Sequence, residues 1–110
     1  MNKLKMMSLD SNNKIYLMID YYKKIDGVIN IINKNAQKGI QFEDCPLLYS
    51  GLKKKLQSLT VIAKRIRSCI NYDTCHDSYI HGNYEHLRRF DEKIEDAENI
   101  ILFIRTLENQ

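Results

Sequence analysis

Helix and strand breakers are scarce in this chain: one proline, Pro46, and four glycines stand among 110 residues. Little therefore interrupts regular structure, and the few breakers mark its joints. No apolar run approaches the roughly 18 residues of a membrane-spanning helix, which excludes such a span. Met1 to Asp10 offers only the scattered Leu4, Met6, Met7 and Leu9, too short a core for a signal peptide. Residues 1–10 are expected to be a flexible lead-in. Cysteines number three, odd and without framework spacing, so a disulfide scaffold is excluded and a reducing, cytoplasmic setting is expected. Strand-like alternation, internal repeats and low-complexity stretches are absent as well. So are a glycine-rich phosphate loop, a nucleophile elbow and an acid pair of defined spacing, which leaves catalysis without a motif.

What is present suits a globular protein. Hydrophobic residues make up 44% and charged residues 28%, the composition of one folded domain spanning 1–110. Isoleucine, lysine and asparagine dominate, with lysine outnumbering arginine twelve to five. AT-rich codons spell these residues, so a low-GC bacterium, its phage or a large DNA virus is the expected source.

Three segments carry helical periodicity. Ile15, Met18, Ile19, Tyr22, Ile25, Ile29, Ile32 and Ala36 recur at three-four spacing and predict a first helix over about 12–38. Ser11 is its expected N-cap, Lys34 and Lys38 suit its negative end, and Gly39 fits the position after it. Asp44 followed by Pro46 reads as a cap and first-turn proline. Leu48, Leu52, Leu56, Leu59, Ile62, Ala63, Ile66, Cys69 and Ile70 then predict a second helix over about 46–71, with Gly51 weakening its start. Leu87, Phe90, Ile94, Ala97, Ile101 and Ile104 predict a third, capped by Asn83 with Glu85 in its first turn. Residues 71–83 are left as a long connection. Three long helices so joined make an all-α, antiparallel, up-down-up bundle.

The apolar arcs differ in width. At 100° per residue, the second helix keeps its apolar face within about 140°, enough for two neighbours. On the first helix Leu17, Tyr21, Val28 and Ile31 add a second stripe and open the arc to about 240°. The last turns of the third helix widen through Ile100, Phe103 and Leu107. Either a small core consumes this surplus, or it is an interface for a second copy or a protein partner, since large apolar patches are rarely left to water.

Charge is also uneven. Between Asp44 and Asp73 there is no acid, and Lys53, Lys54, Lys64, Arg65 and Arg67 are spread over about 160° opposite the leucines of the second helix. Such a stripe attracts phosphates and would bind nucleic acid without base readout. Against this, Asp91, Glu92, Glu95, Asp96 and Glu98 on the third helix could neutralise it. The net charge of +3 is modest, and no helix-turn-helix, zinc-finger or aromatic RNA-binding motif appears.

The connection around 71–86 gathers Cys69, Cys75, His76, His81 and His86 with Tyr72, Tyr79 and Tyr84. The histidine spacing suits zinc, but the cysteine spacing does not, and Cys75 beside His76 is a poor nucleophile–base pair. No metal, cofactor or small-molecule substrate is expected. Asp73 can instead cap a short helix, with the tyrosines lidding the bundle end or forming a recognition loop. The sequence thus predicts a non-catalytic, cytoplasmic helical interaction module, a viral or phage regulator being compatible. Its interface would be Leu17, Tyr21, Val28, Ile31, Ile100, Phe103 and Leu107, for itself or a protein partner; the alternative is phosphate binding by the second helix.

Overall fold

A computed structural model describes residues 11–70 and 80–110, with side chains from 13 and from 85 onward in the two segments. The expectations placed on 1–10, on 71–79 and on the side chains of His81, Asn83 and Tyr84 lie outside the described residues. Three helices pack against one another: α1, Ser11–Gln37; α2, Pro46–Ser68; and α3, Ile80–Glu108. Among the described residues there is no strand, and no helix is long and apolar enough to cross a membrane.

The three-four rows meet in one core. Met18, Ile25 and Ile29 of α1, Leu56, Ala63 and Ile66 of α2, and Leu87, Phe90, Ala97 and Ile104 of α3 are all buried. Each fully buried Leu, Ile, Met or Phe contributes roughly 1.5–3 kcal/mol by leaving water. Ala63 and Ala97, both fully enclosed, have too little bulk to hold the helices apart. Among the described residues Thr60 is the one buried polar residue, and its hydroxyl donates to the Gln57 carbonyl at 2.9 Å.

The helix ends follow backbone chemistry. α1 closes on Gly39, whose φ is +81°. The Gly39 N–H donates to the Ala36 carbonyl and the Ile40 N–H to the Asn35 carbonyl, both at 3.0 Å. This is a Schellman closure, and it needs a residue at ease in the left-handed region. Ser11, the expected cap, is itself the first helical residue.

At α2 the cap differs from expectation. Cys45 occupies the N-cap without a side-chain hydrogen bond, with Pro46 just inside. The Asp44 carboxylate instead accepts the Gln41 N–H at 2.9 Å, so it closes the preceding turn. α2 runs unbroken through Gly51 and stops at Ser68, where Cys69 turns its N–H back to the Ile66 carbonyl. Leu48, expected in the apolar row, is exposed, because the first turn of α2 meets the core through Tyr49. The Tyr49 hydroxyl donates to the Ile40 carbonyl, which ties α2 to the connector. α3 begins at Ile80, so Asn83 lies inside the helix and does not cap it.

Candidate interaction surface

The seven residues expected to form an apolar interface do not share one surface. Val28 is buried, and Leu17 and Tyr21 are half-buried against the core. The second stripe of α1 turns toward α2, where Val28 and Ile31 line a groove with Leu59 and Lys55. α2 therefore lies against Val28, part of what the sequence left uncovered on α1, and the core takes up part of Leu17 and Tyr21. Only Ile31 stays largely open, at 46% exposure.

Ile100, Phe103 and Leu107 come together elsewhere. They line a groove of about 500 Å³ at the end of the bundle. Ile32 and Ala36 of α1 form its other wall, and Ile40 and Phe42 of the connector close it. Ile100 and Leu107 are half-buried, whereas Phe103 is 65% exposed. The Phe42 and Tyr49 rings stand 6.2 Å apart at a tilt of 50°, within the range of favourable aromatic pairs.

The outer side of α3 changes character along its length. Arg88, Arg89, Glu92, Glu95, Asp96 and Glu98 are exposed and charged; Asn99, Leu102, Phe103 and Thr106 are exposed and uncharged, with Arg105 the one exposed charge among them. Leu102 shares a shallow groove with Val61 of α2, and each is more than half exposed. An apolar band thus runs from Val61 over Leu102 and Phe103 to Phe42. Leu102, Val61, Ile40 and Phe42 were missed in the sequence, because each falls outside the helical row that defines its segment.

No family model, curated protein or solved structure matches the chain. The reading of these surfaces therefore rests on geometry and charge.

The basic stripe of α2 is divided by the fold. Lys53 donates to Glu108 at 2.5 Å, Lys64 to Glu98 at 2.8 Å, and Arg67 to Asp91 at 2.6 Å. Arg67 also donates to the Ile70 carbonyl at 2.7 Å. The Lys53 and Arg67 side chains are mostly covered and lie in the α2–α3 seam, not opposite it. Lys54 and Arg65 are exposed and without an ion pair among the described residues. Hydrogen bonds from Lys53 and Ser50 hold the Glu108 carboxyl below its ordinary range. Between α1 and α3, Lys93 donates to Asp26 at 2.8 Å. Burial pulls the Lys93 pKa down, and the Asp26 hydrogen bond and charge more than offset it, leaving it raised.

Among the described residues the sulfur and imidazole groups are not brought together. Cys45 and Cys69 are free, half-buried thiols, and His86 is exposed on α3. Among the described residues no three His, Cys, Asp or Glu side chains are placed to hold a metal ion. Cys75 and His76, also weighed as ligands, lie outside those residues.

Proposed function

We propose that this protein acts by binding rather than by catalysis, and that it associates with a second copy of itself through the C-terminal part of α3. The reading rests on one observation: Phe103 stands 65% exposed at the lip of an apolar groove of about 500 Å³. A projecting ring and a cleft on the same patch are what a two-fold, self-complementary contact requires. From Asn99 to Thr106 the exposed residues of α3 include no acid, Arg105 being their one charge, so the contact is spared the repulsion that the acids upstream would bring.

The helices in this reading form an up-down-up bundle. The ion pairs support it, since partners of α2 residues 53, 64 and 67 fall at 108, 98 and 91 of α3. Pairs between α1 and α3 rise together instead: Asp26 meets Lys93, and Ile32 shares a groove with Ile104. Parallel α1 and α3 put both apolar ends at the Phe103 pole. Phosphate binding by α2 draws less support, because acids of α3 occupy three of the five cations named for it.

Sedimentation of the full chain over a range of concentrations tests the association. Burying the exposed two thirds of Phe103 contributes about 1–2 kcal/mol per copy. Phe103→Asp should therefore weaken a symmetric dimer by about 30-fold to 1000-fold, while a Tyr16→Asp control on the exposed start of α1 leaves it intact. A strict monomer at high concentration overturns the self-association, and so does a Phe103→Asp chain that sediments like the parent.

A further inference from the structure

α1 passes through Gly27 without a break. Glycine is a poor helix former, because it loses more backbone freedom than any other residue. Two intramolecular reasons would justify it here, and neither applies. The left-handed glycine of the described chain is Gly39, not Gly27, and a Cβ built on Gly27 would meet nothing within 4 Å. A missing side chain on an exposed helix face that no described part of the chain fills has one remaining physical effect: it lets another backbone approach closely.

Gly27 lines a groove of about 390 Å³ between α1 and α2. Val28, Ile31 and Leu59 make its apolar floor, while Lys23, Lys24 and Lys55 stand around it; no carboxylate lines it. Lys23 and Lys55 are exposed and have no ion pair among the described residues. Lys24 pairs with Asp20 at 3.1 Å and lies over the Tyr21 ring, 4.6 Å from its centroid. This contrasts with the α2–α3 seam, where Lys53, Lys64 and Arg67 each have a carboxylate. Lys23 and Lys55 thus remain without compensating charge beside an apolar floor, at a groove that also contains an unexplained glycine.

We propose that the α1–α2 groove receives an acidic amphipathic helix of a partner protein. Its apolar stripe would lie on Ile31, Val28 and Leu59, its carboxylates would face Lys23 and Lys55, and its backbone would pass closest at Gly27. Helix-in-groove recognition uses such an apolar floor with charged flanks. A nucleic acid fits less well, since phosphates would gain nothing from Ile31 and Leu59 and would leave the floor wet. A second copy of the chain fits less well too. The exposed apolar residues of α3, Leu102 and Phe103, follow its exposed acids at 92, 95, 96 and 98 rather than run between them, so it does not present an apolar stripe flanked by acids.

The test uses the full chain, isotope-labelled for amide NMR, and three probes. One is a synthetic helical peptide with leucines at i, i+3, i+4 and i+7 and glutamates on the flanks. The second replaces its glutamates with lysines, and the third is a DNA duplex. The glutamate peptide should shift the amides of Gly27, Ile31 and Leu59 and bind at least about tenfold more tightly than the lysine peptide. Lys23→Glu with Lys55→Glu should reverse that preference. Gly27→Leu should abolish binding while its thermal midpoint stays at or above that of the parent, which separates a blocked groove from a damaged fold. The proposal is overturned by duplex binding at these amides in place of the peptide, by peptide shifts centred on Phe103, or by undiminished binding to Gly27→Leu. Loss of self-association in the double-glutamate chain also overturns it, because the occupant would then be a second copy.

Discussion

Gly27 and Gly39 offer a matched pair of perturbations, because the space beside them is the same and the backbone is not. A Cβ at either position meets nothing within 4 Å, so replacement by alanine adds no clash with the rest of the chain. At Gly27 the backbone is interior helix, where alanine is favoured over glycine by about 1 kcal/mol. Unfolding entropy near 2.1 cal/mol/K per residue gives about 230 cal/mol/K for this length, so 1 kcal/mol corresponds to about 4 °C. Gly27→Ala should thus melt about 4 °C higher. At Gly39 the φ of +81° imposes about 1–2 kcal/mol on any side chain with a Cβ, so Gly39→Ala should melt about 4–8 °C lower. Asparagine tolerates the left-handed region, so Gly39→Asn should recover part of the loss. Circular-dichroism melts at one low protein concentration check all three, since association would otherwise move the midpoint. A lower midpoint for Gly27→Ala refutes the reasoning, for it would mean that the glycine serves the fold of its own chain.

Two further outcomes follow from named contacts. Tyr49→Phe removes the hydroxyl that ties α2 to the Ile40 carbonyl and should lower stability by about 1 kcal/mol, read as the urea midpoint at unchanged slope. Glu108 carries a depressed pKa, chiefly from the Lys53 hydrogen bond and next from Ser50. Its ionised form therefore stabilises the fold above the ordinary carboxyl value of 4.5, and that contribution fades as pH falls through the lower, folded-state value. Glu108→Gln should flatten the dependence of the thermal midpoint on pH in this acid range; an unchanged profile would show that the pair contributes nothing there.

Much of the fold was legible because periodicity reports which residues leave water. The rows Met18–Ile25–Ile29, Leu56–Ala63–Ile66 and Leu87–Phe90–Ala97–Ile104 were visible as spacing and are buried as spacing implies. Gly39 was equally legible, since so few residues can occupy a left-handed closure. The caps were less so. Asp44 and Cys45 are adjacent, and the choice between them depended on whether the carboxylate closed the turn behind it or the helix ahead. The start of α3 was misplaced by four residues, because Asn83 can also sit inside a helix when the backbone continues.

The candidate surfaces divide along the same line. Periodicity determined that α1 carries more apolar surface than one core stripe needs, and that α2 carries cations without acids in its own segment. Neighbours decided the rest. α2 covers Val28, so the surplus on α1 shrinks to Ile31, and the apolar opening moves to Phe103, where α1, the connector and α3 leave a cleft. Carboxylates far along the chain, at 91, 98 and 108, engage three cations of the α2 stripe and leave Lys54 and Arg65, and Lys23 and Lys55 near Gly27, without an acid among the described residues. A helical sequence fixes angles around one axis, whereas exposure and charge compensation depend on distances between axes, which only the packed chain sets.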